Sequence, residues 1–130
     1  MHYLDTSALV KLIVAEESST AMRAWIEAVD LPVVTSDLTR TELMRAVSRV
    51  HPDRAPLVRQ LLESVQTVGL TRRVLDEAGR LAPSTLRSLD AIHLAVALSF
   101  GDDLRSVVTY DERLGEAASR AGLQVEAPRD

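Results

Sequence analysis

The chain contains no cysteine, which excludes a disulfide framework and any thiolate-bound metal. Lysine is almost as scarce: Lys11 stands alone, and every other member of the 15 basic residues is an arginine. No apolar run approaches the roughly 18 residues needed to span a bilayer. No repeat, linker or low-complexity segment breaks the chain. Asp5 precedes the first apolar run and Lys11 interrupts it, the wrong order for a secretory signal. A cytoplasmic protein with no membrane association is expected.

What is present is the balance of an ordinary globule. Hydrophobic residues make up 46% and charged residues 26% of 130 positions, enough for one domain, 1–130, with a real core. The formal net charge of −4 argues against a protein that coats nucleic acid, because phosphate binding draws on a positive surface. The preference for arginine qualifies this, since guanidinium suits bidentate phosphate contacts, although genomic base composition explains it equally well.

Strand and helix alternate. His2-Tyr3-Leu4, Val33-Val34-Thr35, Thr67-Val68, Val107-Val108-Thr109 and Leu123 to Val125 read as short strands. Helical spacing covers Ser7 to Val14, Ser19 to Val29, a segment through Leu38, Leu43, Val47 and Val50 capped by Ser36 or Asp37, and Ala55 to Ser64. Thr71 is placed to cap a helix reaching Leu81, and Ser88 to cap the most apolar helix, Ala91 to Phe100, which Gly101 stops. Glu112 to Ala121 is the last helix. His51-Pro52 is a helix end. Short apolar strands between helices imply α/β architecture: a three-layer α/β/α sandwich with a short, mainly parallel central sheet.

In open parallel sheets, ligands bind outside the carboxyl ends of the strands. Four of the 19 acidic residues fall at that edge. Asp5 follows the first strand, and Asp111 the strand ending at Thr109. Glu42 lies one to two turns into the helix after the second strand, and Asp90 in the first turn of the apolar helix. Carboxylates gathered within a few ångströms need protons or a cation. Oxygen-only ligands suit Mg²⁺ or Mn²⁺ rather than Zn²⁺. Such ions activate water and neutralise charge on a phosphodiester.

Each residue also has a plainer reading. Asp90 and Asp111 are favourable charges at helix starts, although Leu89, Ile92, Leu94, Ala95 and Val96 surround Asp90 with apolar positions. Glu42 has Arg45 and Arg49 at i+3 and i+7. Asp5, ending a buried strand, is costly without a partner. Ser7 is either a helix cap or a support of the site, and Thr109 either a β-branched strand residue or a hydroxyl lining it. His93 reads as a packed or hydrogen-bonded structural histidine. Arg40, Arg45 and Arg49 are either phosphate contacts or solvated charges. Asp53, Asp102, Asp103, Glu16 and Glu17 read as solvated.

Four segments in order carry a resemblance: Leu4-Asp5-Thr6-Ser7-Ala8-Leu9-Val10-Lys11-Leu12, Thr39-Arg40-Thr41-Glu42-Leu43, Leu89-Asp90-Ala91-Ile92-His93-Leu94-Ala95, and Val108-Thr109-Tyr110-Asp111-Glu112-Arg113-Leu114. Together they resemble the motifs of the PIN-domain family, and within it the small VapC-type toxins of bacterial toxin–antitoxin pairs. The resemblance covers nearly the whole chain. It implies a PIN-like fold and a Mg²⁺- or Mn²⁺-dependent endoribonuclease, with Asp5, Glu42, Asp90 and Asp111 as metal-associated catalytic acids. It gives Ser7 and Thr109 supporting roles. It further implies an RNA substrate of the tRNA or rRNA class, a homodimer, and a cognate antitoxin that brings a basic residue to the acids.

Other classes fit less well. A response-regulator receiver needs an acidic pair after the first strand and a lysine after the fifth. Here Asp5 is followed by Thr6-Ser7, and the only lysine is Lys11. A dehalogenase-type phosphatase needs a second Asp two residues after the first, where this chain has Ser7. A PIN-like domain serving as a non-catalytic RNA-binding or scaffold module is the remaining alternative, and the presence of all four acids argues against it.

Overall fold

A computed structural model describes residues 1–130. Five strands form one sheet: β1 (His2–Leu4), β2 (Val33–Ser36), β3 (Gln66–Val68), β4 (Ser106–Val108) and β5 (Val125–Glu126). Their order is β3-β2-β1-β4-β5 and every pairing is parallel. Seven α-helices connect them: α1 (Thr6–Val10), α2 (Ser19–Ala28), α3 (Asp37–Val50), α4 (Ala55–Ser64), α5 (Arg72–Ala78), α6 (Ser88–Ser99) and α7 (Glu112–Arg120).

Strand alternation divides the core into two layers. Leu4 and Val108 face one side, joining Leu9, Met22, Leu43, Val47, Val58 and Leu62 from α1 to α4. Tyr3, Val34 and Val107 face the other, against Leu94, Val96 and Ala97 of α6 and Leu114, Ala117 and Ala118 of α7. Because successive side chains of a strand point to opposite faces, three-residue strands suffice to build both layers. The expected three-layer α/β/α sandwich is present, and the sheet is wholly parallel. α6 is apolar on nearly all sides, as a helix covered on several faces must be. Ala91, Leu94, Ala95, Val96 and Ala97 are all buried. No helix is long and apolar enough to cross a membrane.

Several element boundaries differ from the sequence reading. α1 ends at Val10 rather than Val14, because Leu12 and Ile13 donate to the carbonyls of Leu9 and Val10 in tighter turns. Helix α5 stops at Ala78, and Gly79 closes it rather than Leu81. Thr71 caps α5 through its hydroxyl, as expected. Ser88 does not cap α6. The cap position belongs to Arg87, with no side-chain hydrogen bond to the helix. Ser36 precedes α3 without capping it, and its hydroxyl instead meets Tyr3 at 3.2 Å. Gly101 and Gly122, with φ of 56° and 90°, follow α6 and α7 in the left-handed conformation that glycine adopts without steric cost.

The sheet order fixes where a site can form. From β1 the chain steps outward to β2 and β3, then returns to the other side of β1 for β4 and β5. This reversal opens a crevice beyond the carboxyl ends of β1 and β4. Asp5 and Thr109 are the first residues past those two strands.

Candidate active site

Asp5 occupies the N-cap of α1, and its Oδ1 accepts from the amide of Ala8 at 3.1 Å. The same oxygen accepts from the Ser7 hydroxyl at 2.7 Å, and Oδ2 accepts from the Thr109 hydroxyl at 2.7 Å. The residue is only 3% exposed. Burial pushes its carboxyl above the ordinary range, against the opposing pull of His93, the two hydroxyls and the Ala8 amide. A charge held this deeply is tolerated only with such donors around it.

Ser7 and Thr109 brace the same corner from opposite sides. The Ser7 hydroxyl accepts from the amide of Tyr110 at 2.9 Å, and the Thr109 hydroxyl accepts from the amide of Asp111 at 3.0 Å. Asp5, not Ser7, caps α1, so the helix-cap reading of Ser7 is corrected. Asp111 caps α7, with Oδ1 accepting from Leu114. The cap reading of Asp111 therefore stands together with its place in the crevice.

Glu42 reaches the crevice from α3. Its Oε1 accepts from the Thr6 hydroxyl at 2.7 Å and lies 2.6 Å from Nε2 of His93. The anticipated partners Arg45 and Arg49 make no ion pair with it. α3 turns this face of its first half toward α1, leaving those arginines elsewhere. Burial works to raise the Glu42 carboxyl, but the hydrogen bonds from His93 and Thr6 outweigh it and hold the group below its usual range. His93 is 3% exposed, and its Nδ1 lies 2.7 Å from the Tyr3 hydroxyl. It is a buried, hydrogen-bonded histidine, as read from the sequence, but one that sets the position of a site carboxylate.

Asp90 and Asp111 are joined by Arg87. The guanidinium donates from Nε to Oδ2 of Asp90 at 3.1 Å and from Nη2 to Oδ2 of Asp111 at 2.8 Å. Burial, and then the charge of Asp111, raise the Asp90 carboxyl. Leu89 is 48% exposed, so the apolar surround of Asp90 is less complete than its neighbours in sequence suggested.

Hydrogen bonds and short stretches of chain connect these residues. Asp5 accepts from the Thr109 hydroxyl, which accepts from the backbone amide of Asp111, and Arg87 joins Asp111 to Asp90. His93, one turn further along α6, meets Glu42, and Glu42 accepts from Thr6, the residue after Asp5. All four acids chosen from sequence thus belong to one connected cluster. Arg87 and Thr6 were not singled out. Arg87 stands three residues before Asp90 at the helix entry, the signal that was available. Thr6 lies inside the first motif, but its link to Glu42 depends on how α1 crosses α3.

The donor set is all oxygen, as a hard divalent cation requires. Oε2 of Glu42 and Oδ1 of Asp90 accept no hydrogen bond from the protein, and neither is sealed from solvent. The acids do not close into a ready cage: no three Asp, Glu or His side chains converge on one ion position. The donor chemistry fits Mg²⁺ or Mn²⁺, and the Arg87 guanidinium stands between Asp90 and Asp111.

The family model of the PIN domain matches residues 2–119. Ribonuclease VapC47 of Mycobacterium tuberculosis is 41% identical over 132 residues, covering 98% of this chain and 97% of that protein. Ribonuclease VapC46 from the same species is 44% identical over 126 residues, covering 97% and 96%. Among solved structures, M. tuberculosis VapC20, described as a Sarcin-Ricin loop cleaving toxin, superposes with a TM-score of 0.81 at 19% identity, covering 98% of this chain and 99% of that one. A toxin–antitoxin complex from Klebsiella pneumoniae gives a TM-score of 0.77 at 21% identity, covering 100% and 99%. At these identities the two structures speak to the fold.

Proposed function

The chain belongs to the PIN-domain family, and from that premise we propose that it is a metal-dependent endoribonuclease, the toxin of a toxin–antitoxin pair. The observation that carries this reading is the linkage of Asp5, Glu42, Asp90 and Asp111 in one cluster at the switch point of the sheet. Relatives covering nearly the whole chain at above 40% identity are named as ribonucleases, and this supports the same activity here.

Asp5, Asp90 and Asp111 would hold Mg²⁺ or Mn²⁺, which when bound supplies an activated water and offsets charge on the phosphodiester. Glu42 keeps its Oε1 engaged by His93 and Thr6 and offers Oε2 to orient the attacking water. Its lowered pKa keeps it a carboxylate, an acceptor that orients that water, and the proton the water releases passes to solvent. The water oxygen bonds to phosphorus, the ribose oxygen leaves, and a proton returns to that oxygen from solvent. Ser7 and Thr109 fix the rotamer of Asp5. Arginines line two hollows: Arg40 and Arg45 of α3 with Arg59 of α4, and on α7 Arg113 with Arg120, the latter paired with Glu116. They are the groups available to hold RNA phosphates.

The structured-RNA class, tRNA or rRNA, is proposed as substrate. A homodimer, a cytoplasmic setting and a cognate antitoxin that neutralises the acids with a basic side chain complete the proposal. The pairing of a guanidinium with two of the acids within this chain supports the last of these.

The test is incubation of antitoxin-free protein with total RNA, with Mg²⁺ or Mn²⁺ and with EDTA, beside Asp5→Asn. Discrete cleavage that needs metal and vanishes in the variant supports the reading. Cleavage that survives both EDTA and Asp5→Asn places the active site elsewhere. Folded, metal-binding protein that cuts no RNA points instead to a binding role.

A further inference from the structure

Arg87 holds the position that a counter-cation to the acidic cluster requires. It spans Asp90 and Asp111, and neither acid makes another ion pair. The one lysine is engaged elsewhere, with Lys11 Nζ 3.3 Å from Glu16 and 4.8 Å from the centre of the Tyr110 ring. The Arg87 side chain is 62% exposed, whereas those of Asp90 and Asp111 are 11% and 22% exposed. It lies over the acids from outside and can leave them without opening the core. One planar guanidinium bridges two carboxylates here, each through Oδ2, a geometry that a point charge on a flexible stem does not reproduce.

We propose that Arg87 is a built-in counter-ion that holds Asp90 and Asp111 together in the metal-free protein and is displaced from both Oδ2 atoms when a divalent cation binds. The proposal rests on the metal-site reading above. Two facts support the exchange. Acids that repel one another need a proton or a cation between them, and the cation that this chain supplies bridges Asp90 and Asp111 directly. A guanidinium that merely pre-shaped the site would make the opposite prediction, because its removal would scatter the ligands and weaken the metal.

Isothermal titration of Mn²⁺ into EDTA-stripped, full-length protein separates these. Wild type, R87Q and R87K are compared without RNA, with thermal melting in EDTA and in Mn²⁺. R87Q is expected to bind Mn²⁺ about three- to tenfold more tightly, the modest range of a half-exposed charged contact. R87K should fall between, and R87Q should melt lower in EDTA with a larger Mn²⁺-induced rise. Equal or weaker Mn²⁺ binding by R87Q overturns the proposal and leaves the metal site standing if wild type binds. Absence of binding by both proteins overturns the metal site as well. Should R87Q not fold, the Arg87 Nε–H resonance of wild type decides: slow solvent exchange that Mg²⁺ abolishes supports displacement, and slow exchange that persists at saturation refutes it.

Discussion

The Thr109 hydroxyl crosses from the end of β4 to donate to Oδ2 of Asp5 at the end of β1, at 2.7 Å, while accepting from the amide of Asp111. One side chain therefore couples two acids that lie far apart in sequence. Thr109→Val keeps the β-branched shape and removes the hydroxyl, leaving a buried carboxylate oxygen without its donor. The expected loss is about 1–3 kcal/mol of stability, with reduced RNA cleavage. Thr109→Ser should retain most of both. Urea denaturation and a cleavage time course on the three proteins check this, and a Val variant equal to wild type in both would remove Thr109 from the site.

Asp5→Asn should separate activity from stability. Burial raises the Asp5 carboxyl in the folded chain, so at neutral pH the folded state bears the cost of a charge that solvent would hold more cheaply. The folded state binds the extra proton between the ordinary value of 3.8 and the raised one. Wild-type stability from this group is then fullest below 3.8 and falls as pH rises through the folded pKa. The Asn variant lacks that loss. Its melting temperature relative to wild type, in EDTA, should be most favourable at neutral pH and should lose that advantage as pH falls toward 3.8. An advantage that instead grows on acidification contradicts the assignment.

The legibility of the site in the sequence follows a physical divide. Asp5 and Asp111 stood out because strand ends are visible as changes of pattern, and Asp90 because an acid in an apolar helix is expensive. All three depend on local context. Arg87, Thr6 and the true partners of Glu42 depend on how separate elements cross. Thr6 meets Glu42 only because α1 packs on α3, and Arg87 meets Asp111 only because its loop lies beside the start of α7. Arg45 and Arg49 are partners by helical spacing alone, whereas the packing of α1 on α3 supplies Thr6, and His93 reaches Glu42 from α6 in the other layer. The same divide runs through the fold. The strand–helix alternation and sandwich were readable, whereas the end of α1 and the missing hydroxyl cap on α6 were decided by tertiary turns and by Arg87 facing the acids.

His93 tests whether a buried structural residue can govern chemistry. It carries Glu42 on Nε2 and meets Tyr3 on Nδ1. His93→Gln shortens that reach and frees Glu42 to turn. The turnover number should fall about tenfold or more, with a smaller change in KM, and Mn²⁺ affinity should change little. Tyr3→Phe removes only the far hydroxyl, so it should cost about 1–3 kcal/mol of stability with a milder loss of turnover. Single-turnover and steady-state kinetics on one RNA substrate distinguish these. Equal loss of turnover in both variants would mean that general loosening, rather than the orientation of Glu42, is being measured.

The packing of α6 sets how firmly Asp90 is presented, and two leucines on that helix give opposite expectations. Leu94 is 1% exposed and lies in the layer with Tyr3, Val34 and Val107, whereas Leu89, beside Asp90, is 48% exposed. Leu94→Ala empties a volume that strands and α7 cannot easily fill, so about 2–5 kcal/mol should be lost. Leu89→Ala removes surface that water already wets, and its effect should stay within about 0.5 kcal/mol. The contrast bears on function because Asp90 lies between the two positions. If burial in the helix interior holds the acid in place, Leu94→Ala should also weaken Mn²⁺ binding at temperatures where the variant is still folded, and Leu89→Ala should not. Chemical denaturation and Mn²⁺ titration on both variants give the answer. Comparable Mn²⁺ affinities despite a large stability difference would show that Asp90 is held by its contacts at the crevice alone.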